Sequence, residues 1–277
     1  MSLQADIPYD TTRDPYRTFD LYYSSKPDVP LPLICFVHGG AWRSEDKTDH
    51  AVLARELVSR TKFPVAVPNY RLSKASDANS IRHPTHAHDI LQLLIFLMTW
   101  SDSSLGELFD RSKIYLLGHS CSAHMLASIF LDSSAITPIL TPPPQVINAV
   151  QAIVLSEGIY DIDLLLARFP DYRDWFIAPA FGDKASYAEF SVPRFSLRPE
   201  QKTDIRWFII HSKGDKLVDL SQSEAMYAHL LRVYAESAQS LVKRNVDELV
   251  DEHDAVLRSE VYMNMVSGFI LQDIYKS

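Results

Sequence analysis

Apolar and polar positions along the chain sort into two alternating kinds of segment. Short, nearly continuous apolar runs are bounded by Gly, Pro, Asn or Ser: TFDLYYS at 18–24, LPLICFVHGG at 31–40, FPVAVPNY at 63–70, KIYLLG at 113–118, AIVLSEG at 152–158, IRWFIIHS at 205–212 and SLVKRNV at 240–246. Runs of this length, rich in Ile, Val, Phe and Tyr, read as strands, most of them buried on both faces. Between them lie longer stretches with apolar residues three and four apart, which is the helical period. They predict helices over 48–59, 86–100, 122–131, 221–236 and 255–276. The fourth opens on a serine suited to cap its first turn. The second, HAHDILQLLIFLMTW, is apolar nearly all round and should be buried.

Strands alternating with helices predict a single α/β domain spanning 1–277, a mostly parallel sheet with helices on both faces. In such folds ligands sit outside the carboxyl ends of the strands. His38, Gly39, Ser120, Asp215 and His253 all fall just after a predicted strand. LTPPPQ at 140–145 is a proline-rich loop. Residues 159–190 carry Tyr160, Phe169, Tyr172, Trp175, Phe176, Phe181, Tyr187 and Phe190. They predict an insertion that either packs as a small sub-core or caps the site.

Composition narrows the function classes. The chain has 277 residues, long enough for a sizeable core, and a net charge of −8. That charge argues against a general binder of nucleic acid or anionic membrane. The two cysteines, Cys35 and Cys121, lack metal-type spacing and predict a reducing, cytoplasmic setting rather than a disulfide framework. MSLQADIPYD at the start lacks the apolar core of a secretory signal. The longest apolar run, Ile90 to Trp100, is too short to span a bilayer. The expected partner is a small-molecule substrate, with no nucleic acid and no membrane; a homodimer is left open.

The chemistry centres on LLGHSCSAHML at 116–126, a strand, a tight turn and a helix with Ser120 at the bend. Acyl transfer by serine needs a base to take the hydroxyl proton, an acid to orient that base, and donors for the developing oxyanion. Ser120, Asp215 in IIHSKGDKLVD and His253 in DEHDAV supply the three in the chain order Ser, Asp, His. Asp219 competes with Asp215, and His119, His124 and His211 compete with His253. HGGAW at 38–42 offers the backbone N–H groups of Gly39 and Gly40, joined by that of Cys121 at the helix start. Trp42, Tyr160, Trp175 and Phe176 are the expected aromatic pocket walls. No metal and no organic cofactor is needed. Ser122 stands where the elbow pattern G-x-S-x-G has its second glycine. Clearance against the neighbouring strand is the expected demand there, with a misfit of about 1–2 kcal/mol and a hydroxyl free to bond backbone groups.

With HGGAW, NYRLS at 69–73 and GHSCSA in place, the chain resembles the α/β-hydrolases of the hormone-sensitive-lipase and esterase type. Within that superfamily it looks most like the kynurenine formamidases (arylformamidases), particularly fungal ones. That likeness rests on His38 to Trp42, the GHS elbow with His124 behind it, and EGIYDIDLLLARFPDYRDWF at 157–176. It covers the chain from about Phe19 onward and departs from the pattern at Ser122. The resemblance implies an α/β-hydrolase fold and hydrolysis of N-formyl-kynurenine to kynurenine and formate. A carboxylesterase acting on short-chain esters would share every catalytic residue. A non-catalytic binding protein of the same fold would be expected to lack a triad member.

Overall fold

The computed structural model describes residues 1–25, 28–74, 81–101, 108–198 and 204–272. All seven expected strands form, and an eighth joins them. They are β1 (Ser2–Pro8), β2 (Thr18–Tyr23), β3 (Leu31–Val37), β4 (Val65–Pro68), β5 (Phe109–His119), β6 (Val150–Ser156), β7 (Arg206–Ile210) and β8 (Val242–Asn245). They lie in one sheet in the order β1-β2-β4-β3-β5-β6-β7-β8. The pairs β1–β2 and β2–β4 are antiparallel; every pair from β4 to β8 is parallel. The sheet is therefore mostly parallel with helices on both faces, as the alternation predicts, and the fold is the α/β-hydrolase fold that the resemblance implies.

Two-residue periodicity splits the core in two. Leu33, Cys35 and Val37 of β3, with Leu116 of β5 and Ile153 and Leu155 of β6, pack into one apolar cluster. Ile34 and Phe36, with Tyr115, Leu117 and Val154, pack into the other. Continuous apolar strands are what burial on both faces demands. The helices α1 (Ala51–Thr61), α2 (Thr85–Leu97), α3 (Cys121–Phe130), α4 (Pro144–Ala149), α5 (Ile162–Arg168), α6 (Ala178–Phe181), α7 (Leu220–Tyr234), α8 (Ala238–Leu241) and α9 (Glu260–Leu271) complete the layers. Leu53, Ala54, Leu57 and Val58 form the buried stripe of α1, while Ile90, Leu91, Leu93, Leu94 and Leu97 bury almost the whole of α2.

Two expected boundaries move. The helix predicted over 48–59 begins as a 3-10 turn at Lys47–His50, capped by Asp46, before α1 starts. The helix predicted over 255–276 splits: a 3-10 turn at Ala255–Arg258, an extended Ser259, then α9. Residues 273–276 of that expectation lie outside the described residues. Among the described residues no helix is long and apolar enough to cross a membrane.

Sheet register sets out the site. His119 pairs with Ser156 and Ser156 with Ile210, so Ser120, Glu157 and His211 come next in line at the carboxyl edge. The backbone ladder runs on through them, from Ser120 N to Ser156 O (2.9 Å) and from Glu157 N to Ile210 O (3.0 Å).

Candidate active site

Ser120 sits between β5 and α3 at φ 56° and ψ −122°, a left-handed backbone that a non-glycine residue keeps only when its surroundings impose it. Its carbonyl accepts N–H groups from Ala123 and Ile159. A cavity of about 190 Å³ opens beside it, lined by Gly40, Ala41, Arg43, Ile159, Tyr172, Trp175, Phe176, Leu217, Val218, His253 and Asp254 among others.

His253 and Asp215 meet as the strand-end placement predicts. Nδ1 of His253 is 2.7 Å from Oδ2 of Asp215. The other carboxylate oxygen accepts the N–H groups of Leu217 (2.8 Å) and Val218 (3.0 Å). Burial alone would raise the Asp215 carboxyl, but the hydrogen bond from His253 and the backbone N–H of Val218 hold it well below the usual carboxylate range. The loops carrying Asp215 and His253 are tied together. Ser212 Oγ donates to Asp251 O at 2.6 Å, and Gly214 passes so close that a Cβ there would stand 2.1 Å from Val250 O. Only glycine permits that approach. Ser120 and His253 share the cavity, but the serine hydroxyl makes no hydrogen bond to the imidazole among the described residues.

The competing residues go elsewhere. Asp219 sits at the start of α7, its Oδ2 accepting from the hydroxyl of Ser221. His124 Nε2 meets Phe190 O at 2.7 Å, and His211 Nδ1 meets Ser223 Oγ at 2.9 Å. His119 packs against the His253 ring at 4.7 Å, with Nε2 3.5 Å from Asp254 Oδ1. Burial lowers the pKa of each of these three imidazoles.

The HGGAW turn is left-handed over three residues: Gly40 at φ 88°, Ala41 at 53° and Trp42 at 59°. Gly40 and Ala41 line the cavity beside Ser120; Gly39 and Cys121, expected there, are not among the lining residues. Gly39 instead lies under Ser120, where a Cβ would come within 3.1 Å of Ser120 Cβ. Cys121 turns its side chain inward, and its sulfur accepts the Trp42 N–H at 3.2 Å. Burial pushes that thiol up to about 12, so it stays protonated. The NYRLS segment braces the turn. Tyr70 hydroxyl donates to Gly39 O (2.7 Å), Ser73 N–H donates to Trp42 O (2.8 Å), and Asn69 Oδ1 accepts from Lys47 N–H (2.7 Å).

Two of the four expected pocket residues are misplaced by the sequence reading. Trp175 and Phe176 line the cavity with Tyr172, whereas Trp42 and Tyr160 are fully buried behind it. The left-handed φ of Trp42 turns its indole into the core, against His124, Phe176 and Phe181. Tyr160 lies over Gly158, where a Cβ would meet its ring at 2.3 Å.

Ser122 uses the hydroxyl that the sequence reading left free to bond backbone groups. It is buried, but clearance is not its whole role. Its Oγ accepts the His119 N–H at 2.7 Å and faces the carbonyls of Val37 (2.7 Å) and His119 (2.8 Å). The hydroxyl thus bridges β5 to the end of β3, two residues before Gly39.

Of the potential metal-holding groups, His38, Glu45 and His50 bring their ligand atoms within 4.8 Å of one another. Glu45 and His50 are already hydrogen-bonded at 2.9 Å, and the two imidazole planes lie 8° apart, stacked rather than converging on one ion. Burial lowers His38 to about 4, so that ring is neutral.

The BD-FAE family profile matches residues 19–230. A kynurenine formamidase of Meyerozyma guilliermondii is 29% identical over 202 residues, covering 70% of this chain and 69% of that protein. Another, from Eremothecium gossypii, is 28% identical over 256 residues, covering 88% and 94%. Among solved structures, a truncated form of a carbohydrate esterase from gut microbiota aligns with a TM-score of 0.74 at 16% identity, covering 98% of this chain and 96% of that one.

Proposed function

Because the chain belongs to the BD-FAE family, we propose that its cavity hydrolyses a small aryl amide or ester through Ser120, His253 and Asp215, with N-formyl-kynurenine as the preferred substrate. That the chain is a hydrolase of α/β-hydrolase fold is the premise; the serine mechanism and the substrate are the proposal. The observation that carries it is the His253–Asp215 pair at 2.7 Å, opening on the same cavity as a left-handed Ser120.

The steps follow from the atoms. Asp215 accepts a hydrogen bond from the Nδ1–H of His253 and leaves Nε2 to accept the Ser120 proton; the contact from Nε2 to the serine commonly closes only once substrate is bound. Ser120 Oγ attacks the formyl carbonyl. The oxyanion faces backbone N–H groups of the Gly40–Ala41 turn and the start of α3, each such donor being worth about 3 kcal/mol at the transition state. Collapse breaks the C–N bond as His253 returns the proton to the leaving aryl nitrogen. Water, deprotonated by the same imidazole, then attacks the formyl–Ser120 ester; the C–O bond to Ser120 breaks, His253 returns the proton to Oγ, and formate leaves. Tyr172, Trp175 and Phe176 furnish the aryl wall, as relatives named kynurenine formamidases would require. On this reading residues 159–190 act as a cap.

The test is kcat/KM on N-formyl-kynurenine beside p-nitrophenyl esters of increasing chain length, with Ser120→Ala as control. The expected result is the highest value for the formamide, a measurable rate on short aryl esters, and a loss of about 10⁴–10⁶ in rate in the variant. A preference for octanoyl or longer esters without formamide turnover would replace the reading with a lipase-like esterase. Retention of more than a few per cent of activity in the variant would remove Ser120.

A further inference from the structure

Glu157 has no part in the steps above, yet it lies against them. It follows β6 directly, at a left-handed φ of 52°, and its side chain is buried. Oε1 accepts the Ser212 N–H at 2.8 Å, and Oε2 is 3.6 Å from Nδ1 of His211. A carboxylate oxygen of Glu157, one of Asp215 and a ring nitrogen of His253 all lie within 4.8 Å of one another. The titratable groups facing Glu157 are His211 at the end of β7, Asp215 and His253 on their two loops, Tyr160 on its own loop and Tyr262 on α9. None of these carries a fixed positive charge. Asp215 is already committed to its charge by His253 and two backbone N–H groups. Two buried carboxylates this close do not both ionise without a cation between them.

We propose that Glu157 is a positioning residue: a neutral carboxylic acid that donates a hydrogen bond to Asp215 and extends the site to a Glu–Asp–His–Ser chain. Burial, the hydrogen bond to Asp215 and the charge on Asp215 push the Glu157 carboxyl up to about 10, which agrees with that geometry. The donated bond fixes the rotation of Asp215 and so the direction in which it holds His253. The kinetic consequence rests on the serine-hydrolase reading; the protonation does not.

The experiment has two independent arms. Infrared difference spectra of wild type against Glu157→Gln at neutral pH should show the carbonyl band of a protonated carboxyl in the wild type alone; its absence overturns the proposal, whatever the protein hydrolyses. In kinetics, Glu157→Gln keeps a donor and should stay within a few-fold of wild type, with the acid limb of its rate profile unmoved. Glu157→Ala should lower kcat by about tenfold to a hundredfold, the worth of a hydrogen bond to a charged group, with KM nearly unchanged. If Gln falls as far as Ala, or if its acid limb moves by about a pH unit, the residue is ionised in the wild type and the proposal fails. Should Glu157→Ala not fold, the Gln variant and the spectra decide alone. Should no substrate turn over, fluorophosphonate labelling of Ser120 supplies the rate profile and separates that failure from this one.

Discussion

Replacing Ser122 separates two accounts of the elbow. If the position only needs a small side chain, glycine should be neutral or relieve crowding. The structure gives the hydroxyl a bridging role instead, between the His119 N–H and the Val37 carbonyl, both fully buried. Ser122→Ala takes the 2.7 Å hydroxyl partner from that N–H, which costs about 1–3 kcal/mol, and removes a second hydrogen bond of about 1 kcal/mol. Partial closure of the gap recovers some of this, so the expected loss is about 2–3 kcal/mol. Ser122→Gly should lose up to about 1 kcal/mol more, from glycine in the first turn of α3. In a chain of this size 1 kcal/mol moves Tm by roughly 2–4 °C, so Ser122→Ala should melt roughly 4–12 °C lower. Urea unfolding monitored by tryptophan fluorescence gives the free energy, provided the slope m stays at the wild-type value. The hydroxyl also fixes where β3 delivers the Gly39–Gly40 turn, so kcat should fall more than KM rises. A glycine variant as stable as wild type, with undiminished kcat, would refute the bridge and restore the clearance account.

Other expectations follow from the same contacts. Asp215→Asn should cost about 10⁴ in kcat, the scale for a triad acid, while Asp219→Asn should stay within a few-fold because Asp219 does not touch His253; a reversed ranking would move the acid. Trp175→Ala, at a half-exposed cavity wall, should raise KM for aryl substrates with little change in Tm, whereas Trp42→Ala should cost about 3–5 kcal/mol of stability; equal loss of stability in both would contradict their placement. Glu157 ionises at its ordinary 4.5 when unfolded but only near 10 when folded, so between those values the unfolded state binds fewer protons. Rising pH should then weaken the wild type by up to about 1.4 kcal/mol per pH unit relative to Glu157→Gln, and Tm curves that stay parallel from about pH 5 to pH 9 would exclude the shift.

How much of this the sequence disclosed depends on what each residue answers to. Strands buried on both faces announce themselves by composition, and chemistry placed just past their ends stands out against them. That is why Ser120, Asp215 and His253 are legible. The edge strand β1 is not, because SLQADIP is mostly solvent-exposed and owes its conformation to pairing with β2. Trp42 was legible as aromatic and adjacent to the glycines, but adjacency along the chain does not give side-chain direction, which a left-handed φ reverses. Ser122 looked like a defect because its partner, Val37, is 85 residues away. Glu157 left a faint signal, an acid closing the apolar run AIVLS directly before Gly158. Its meaning needed the sheet register that sets it beside Asp215. Tyr70 and Ser73 stood out only as part of a familiar motif; their support of the HGGAW turn appears in the fold.

The clasp between the Asp215 loop and the His253 loop reaches beyond the resting geometry. Ser212 is hydrogen-bonded to Asp251, and Gly214 runs against Val250, so the loops bearing Asp215 and His253 travel as one body. Any loosening of the end of the molecule that holds β8 and α9 carries Asp215 along with His253 rather than parting them. Their mutual alignment is therefore the last thing such a motion disturbs, and what it changes first is the gap to Ser120. Thermal inactivation of this protein should accordingly begin as a lengthening between Ser120 and His253, before the sheet itself gives way.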